Sequence, residues 1–208
     1  MLSLFLGFAL IGCSITNDFT AFERAIDRNI EVADGLDRIA AEDLAETNLT
    51  PLDASSTFEV VTLSNRVTLD ARDQIAAIRA LHQAIRVTHA EIVLIREDNR
   101  IAREELRVSI QTFKANNLTL SEADRATLDA YVAELKTIRE ALIETNGDAF
   151  QMMKGLRGKY NLQNIDLVET TLNDVSAILI ARKAQFQRVS EIIVAVQAIA
   201  ETYNETLE

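Results

Sequence analysis

Any chemistry in this chain must come from a short inventory: two histidines, one cysteine, scattered pairs of carboxylates and one glycine-flanked basic segment. His82 and His89 lie seven residues apart, which places both on one helix face, a spacing that two metal ligands can share. Di-iron helical bundles need Glu three residues before each His, and those positions are Arg79 and Arg86. No second cluster completes a site, so no metal is assigned to either histidine. A single cysteine excludes an internal disulfide, a four-cysteine zinc site and a Cys-x-x-Cys pair. Carboxylate pairs such as Glu42 with Asp43 and Glu104 with Glu105 recur as they do on any solvated helix face. Ser, His and Asp occur without the glycine-flanked turn that exposes a nucleophile. Neither an enzymatic activity nor a cofactor is expected.

The segment GDAFQMMKGLRGKYN, residues 147 to 161, holds the one basic cluster, Lys154, Arg157 and Lys159, among Phe150, Met152, Met153, Leu156 and Tyr160. Its glycines follow neither the Walker spacing nor Gly-x-Gly-x-x-Gly, so phosphate cradling has no specific support. Two readings stay open. The basic residues can form a surface for a protein partner or for anionic headgroups. Alternatively the segment is a connection that caps the helices with Phe150, Met153 and Leu156. Asn99 and Arg182 stand where a helix stripe asks for apolar residues, and a polar group buried there needs a partner. A ligand site and a register-setting polar layer both fit, and the layer is the better-attested use. A carboxylate from another helix is the expected partner for Arg182.

Positioning these residues falls to helices. The chain has one Pro and six Gly in 208 residues, with 48% apolar and 25% charged residues, a composition that favours long helices and a packed core. A net charge of −11 and the absence of Trp argue against nucleic acid as a partner. Apolar residues alternating three and four apart mark four seams. One runs from Phe19 through Ile26, Asn29 and Ala33 to Leu44. The second passes Ile78, Leu81, Ile85, Ile92, Ile95, Asn99, Leu106 and Phe113, the third Leu128, Leu135, Ile138 and Leu142, and the last Ile165 to Leu207. Ile75, Ile101, Val108, Ile110, Ile178, Ile192 and Ile199 flank the seams and would widen the buried stripe, as a multi-helix bundle requires.

Capping chemistry sets the boundaries. Thr50 and Pro51 start one helix and Ser121 with Asp124 another, while KANNLTL and the glycines stop them. The spacing predicts helices over 17 to 47, 51 to 115, 121 to 145 and 162 to 207, with a break in the second across 55 to 65. The fold class is all-α, an elongated antiparallel helical bundle of about four helices with coiled-coil-like seams. Short connections make chain neighbours antiparallel, in an up-down-up-down order.

The opening residues differ from the rest. Leu2 to Gly12 is nearly all apolar, too short to span a bilayer core of about 30 Å but the length of a signal-peptide h-region. It ends in Leu10-Ile11-Gly12-Cys13, which resembles the lipobox of bacterial lipoproteins, although no Lys or Arg precedes the apolar run. The resemblance covers residues 1 to 13. It implies that residues 1 to 12 are a signal peptide, that Cys13 is lipidated and becomes the first mature residue, and that residues 13 to 208 form a single helical-bundle domain. The expected protein is then a monomeric lipoprotein on the extracytoplasmic face of the cell membrane, a non-enzymatic binding or scaffolding module with an unknown protein or envelope partner. The alternatives are a cytosolic coiled-coil assembly protein and an envelope hydrolase.

Overall fold

A computed structural model describes residues 17–46, 69–145, 148–156 and 158–205. Five α-helices follow one another: α1 (Asn17–Glu46), α2 (Leu69–Ala115), α3 (Glu122–Glu144), α4 (Asp148–Gly155) and α5 (Ile165–Glu205), with a 3₁₀ turn over Leu162–Asn164 before the last. The described residues contain no strand, and the chain is an all-α helical bundle. The Thr50–Pro51 start and the break at 55 to 65 lie outside the described residues.

Local chemistry explains the ends that are described. Asn117 takes a left-handed backbone, φ 52°. Its N–H donates to Lys114 O at 3.1 Å and that of Leu118 to Phe113 O at 3.3 Å, the paired bonds of a Schellman ending with Asn in the position glycine usually fills. At the start of α3, the Asp124 N–H donates to Ser121 Oγ at 3.1 Å, and Ser121 Oγ donates to Asp124 Oδ2 at 2.6 Å. The expected cap is formed. Where the sequence predicted only a connection after 145, α4 forms. Asp148 in its first turn favours the helix N-terminus, and the turn after it needs Gly158 at φ 70°.

The helices gather into two compact units. The first comprises α1 up to Glu31, Glu97–Glu140 and α5 from Arg188 onward. Here α1 and α2 run antiparallel, fixed by Asp27 against Arg103 and by Lys114 Nζ donating to Glu23 at 2.9 Å. By the same test α3 and α5 are antiparallel, with Arg188 on Glu134 at 2.6 Å and Tyr203 on Asp124 at 2.6 Å. Between α2 and α5 the contacts Asn99 with Ser190 and Ser109 with Asn204 show a parallel pair. This is the expected up-down-up-down order. The core is aromatic at one end, where the Phe113 ring meets Phe19 at 5.0 Å and Tyr203 at 5.6 Å between centroids.

The second unit holds the described residues of Val32–Arg96 and Ala141–Gln187. Ile78, Leu156, Ile165, Val168 and Leu172 form its buried cluster, with Ile75, Leu81, Ile85, Met153 and Tyr160 packed partly buried around it. Again α2 and α5 are parallel, tied by Gln74 Nε2 to Asp166 at 2.7 Å and Lys183 Nζ to Glu91 at 2.8 Å.

Every apolar residue of the expected α5 seam from Ile165 to Ala200 is buried. Among the flanking residues, Ile110 and Ile192 are buried and Ile75, Ile178 and Ile199 partly so, but Ile101 and Val108 are 52% and 62% exposed. The expectation fails for those two for a geometric reason. Val108 lies two residues from both Leu106 and Ile110, about 200° around the helix from each, and these two point into the core.

Candidate functional site

Of the four residues singled out by sequence, Cys13 and Arg157 lie outside the described residues. Lys154 sits on α4 and Lys159 in the turn after Gly158, both exposed. What holds this segment in place is apolar: Leu156 is 2% exposed in the second unit's cluster, and Met153 and Tyr160 pack against it. Backbone bonds close the turn, from Leu156 N to Met153 O at 3.1 Å and from Lys159 N to Leu156 O at 2.9 Å. Asn161 then caps the next turn, its Oδ1 accepting from the N–H groups of Gln163 and Asn164, each at 3.1 Å. The segment therefore caps the unit through Met153 and Leu156 while presenting Lys154 and Lys159 to solvent. The two sequence readings are compatible, because they use different side chains.

His82 and Tyr160 meet beside this cluster, their rings 5.7 Å apart. Burial, and then the nearby Arg86 cation, lower the His82 pKa from its ordinary value, so the neutral imidazole is favoured. Burial pushes the Tyr160 hydroxyl up to about 12, and this hydroxyl is buried with no hydrogen-bond partner. A neutral histidine beside a neutral phenol, on an apolar cluster, is a packing contact with a polar cost. Among the described residues no group of three or more His, Cys, Asp or Glu is arranged to hold a metal ion.

Arg182 corrects an expectation. Its guanidinium donates to the backbone carbonyl and the hydroxyl of Thr145, not to a carboxylate of another helix. The carbonyl belongs to the end of α3, where helix oxygens lack intrahelical donors and carry partial negative charge. Burial pulls the Arg182 pKa down and the Asp148 carboxylate pushes it back. The predicted acid thus acts at longer range while the direct bonds go to a helix end, a partner that residue types alone do not reveal.

In the first unit Asn99 is 3% exposed and accepts from Ser190 Oγ at 2.6 Å, as a polar layer requires. Asn29, also 3% exposed, belongs with it in kind. Its Nδ2 donates to Ala25 O at 2.9 Å and to Leu135 O at 3.1 Å, and its Oδ1 is buried without a partner. Asn29 occupies a seam position as Asn99 does, and its polarity carries the same signal. The interhelical triad of Ser121, Asp124 and Tyr203 was missed altogether. Its cap was legible, but the tyrosine 82 residues from Ser121 was not.

A groove of about 230 Å³ between α1 and α2 of the first unit is lined by Thr20, Phe22, Glu23, Ile26, Asp27 and Arg103 among others. Its floor is apolar, while Asp27 pairs with Arg103, Arg103 with Glu104 and Glu23 with Lys114. Most of these charges pair with one another, and Arg24 and Arg107 also line the groove. No protein family, curated protein or solved structure matches this chain.

Proposed function

We propose that this chain is a lipid-anchored, non-enzymatic helical module of a bacterial cell envelope, held on the extracytoplasmic face of the membrane through Cys13 and acting there as a binding or scaffolding protein. One observation carries the reading: an apolar run of signal-peptide length ends directly at Leu10-Ile11-Gly12-Cys13, with the one cysteine of the chain in the position a lipobox modifies. Two or three acyl chains give stable attachment where one is marginal. No helix among the described residues is long and apolar enough to cross a membrane, so in this reading attachment rests on Cys13. The described helices bury many of their seam residues against one another and leave other apolar residues such as Leu94 and Val194 exposed, which supports a structural and binding role. Lys154, Arg157 and Lys159 are the residues assigned to partner contact.

The test is the intact mass of the protein recovered from its host membrane, together with fractionation of Cys13→Ala. The expected mass lacks residues 1 to 12 and carries added lipid, and Cys13→Ala moves the protein out of the membrane fraction. A full-length, unmodified mass, or a Cys13→Ala protein still held in the membrane, overturns the anchor and returns the chain to a coiled-coil assembly role.

A further inference from the structure

The groove between α1 and α2 is walled by two ridges of the same spacing, Thr20, Arg24 and Asp27 on α1 and Arg103, Arg107 and Ile110 on α2, neighbours on one helix face in each case. Three guanidinium groups line it against two carboxylates, Glu23 and Asp27. Both carboxylates are already engaged. Glu23 accepts from Lys114 Nζ at 2.9 Å, and Asp27 accepts from the Nε–H of Arg103 at 2.8 Å. Arg103 also donates to Glu104, and Arg107 reaches that same Glu104 only at 3.9 Å, with the Arg107 and Glu104 side chains both more than half exposed. Arg24 is exposed and has no ion-pair partner among the described residues. One guanidinium on each wall is therefore left without a close carboxylate.

We propose that this groove binds a phosphate group, held between Arg24 of α1 and Arg107 of α2. Geometry and charge select the ligand. A guanidinium presents parallel N–H donors that match two oxygens of an oxyanion, and a tetrahedral phosphate keeps further oxygens for a second guanidinium on the opposite wall, which a planar carboxylate does not. A volume of about 230 Å³ takes one such group with a few waters, each of about 30 Å³. The floor offers little to an apolar ligand, since Phe22 and Ile110 are both 0% exposed. Releasing Arg107 from Glu104 costs little, because exposed pairs of this kind are weak. The net charge of −11 disfavours a long polyanion but not one phosphate here, because charges farther away than about 8 Å are screened at physiological ionic strength. The phosphate belongs either to a solute or to a lipid headgroup, and the groove recognises the same chemistry in both. Binding here goes beyond the function proposed above and is independent of lipidation at Cys13.

The test uses the full chain carrying Cys13→Ala, so that no lipid anchor contributes, and inorganic phosphate titrated at constant ionic strength while the arginine Nε–H signals are followed by NMR. Saturable shifts at millimolar phosphate are expected for Arg24 and Arg107 but not for Arg188, which Glu134 and Glu191 already hold. Arg24→Gln and Arg107→Gln should each weaken binding about tenfold, the scale of one charge-assisted hydrogen bond, and together abolish it. Both side chains are exposed, so circular dichroism melts of the variants should match the parent, which separates a lost site from lost folding. No saturation, the same shifts with chloride or acetate, or binding that survives the double change overturns the proposal. A second arm sediments the chain with vesicles of phosphatidic acid or of phosphatidylcholine. Retention on phosphatidic acid that free phosphate competes away and the double change removes assigns the site to a headgroup, and phosphate binding without retention assigns it to a solute. Retention that ignores the double change, in a chain that binds no free phosphate, overturns the site.

Discussion

α2 runs through both units with one seam pattern and two outcomes. In the first unit its seam residues Leu106 and Phe113, with flanking Ile110, are at most 3% exposed, and α1, α3 and α5 all contribute buried side chains to the same unit. In the second, Leu81, Ile85 and Ile95 reach only partial burial, and Ile78 and Ile92 alone are buried. Heptad spacing therefore states which face of a helix is offered, and the described neighbours decide how far it is covered. The polar groups do not divide that way, since Asn29 Oδ1 of the first unit is also buried without a partner and Arg182 of the second is bonded to Thr145. Asn99 and Tyr203 are bonded across helices in the first unit, and the Tyr160 hydroxyl is buried without a partner in the second.

The sharpest way to break this comparison is to remove one seam side chain from each half of α2. Phe113 is 2% exposed and stacks edge-on against Phe19 and Tyr203, so Phe113→Ala should cost about 3–5 kcal/mol, the range for a large buried aromatic. Leu81→Ala, at a half-buried position, should cost about 1–2 kcal/mol, because less apolar surface returns to water. Urea unfolding of the two variants, with hydrogen exchange read along α2, measures the difference. Equal losses would mean that the two halves of the seam are equally packed, and the contrast would fall.

Legibility in the sequence follows the range of the interaction that fixes each feature. Helix ends were readable because their causes are local: Ser121 and Asp124 lie three residues apart, and the Asn117 ending uses atoms within five residues. Core faces were readable because periodicity is local too, and ten of the seam residues between Ile165 and Ala200 are buried as their spacing requires. Partners were not. The expected partner of Arg182 is a carboxylate, but it bonds to the end of α3, and Tyr203 reaches Ser121 and Asp124 across helices. Such contacts depend on the relative stagger of two helices, which a pattern repeating every seven residues leaves open by whole heptads. Ile101 and Val108 went wrong for the complementary reason, since apolar character shows what a residue prefers and not what its neighbours leave available.

A smaller effect tests a polar contact of the first unit. The Tyr203 hydroxyl accepts from the Ser121 N–H at 2.7 Å and donates to Asp124 at 2.6 Å, joining the end of α5 to the start of α3. Bonds to Ser121 first, and then to Tyr203, hold the Asp124 carboxyl below its ordinary pKa. Tyr203→Phe keeps the ring against Phe113 and removes only the hydroxyl, so it should cost about 1 kcal/mol, the net worth of an ordinary hydrogen bond. It should also move the Asp124 pKa upward, which carboxyl NMR titration reads directly. An unchanged pKa would mean that the tyrosine is not a partner of the cap.

The smallest effect expected belongs to His82, in the second unit, and it has a definite sign. The folded pKa lies below that of the unfolded chain, so the unfolded state binds the proton more readily. The neutral histidine's contribution to stability is complete above the unfolded value of about 6.5, and it is lost as pH falls from there through the lowered folded value. Thermal melts between pH 8 and pH 5 should therefore show a decline that His82→Gln reduces, since glutamine cannot gain the charge. The decline should appear in the exchange rates of α2 amides near Ile78 before those near Phe113, because His82 sits beside Tyr160 on the less completely covered half of the seam. Identical pH profiles for parent and His82→Gln would mean that the buried imidazole does not report on this unit, and the distinction between the two halves of α2 would then rest on packing alone.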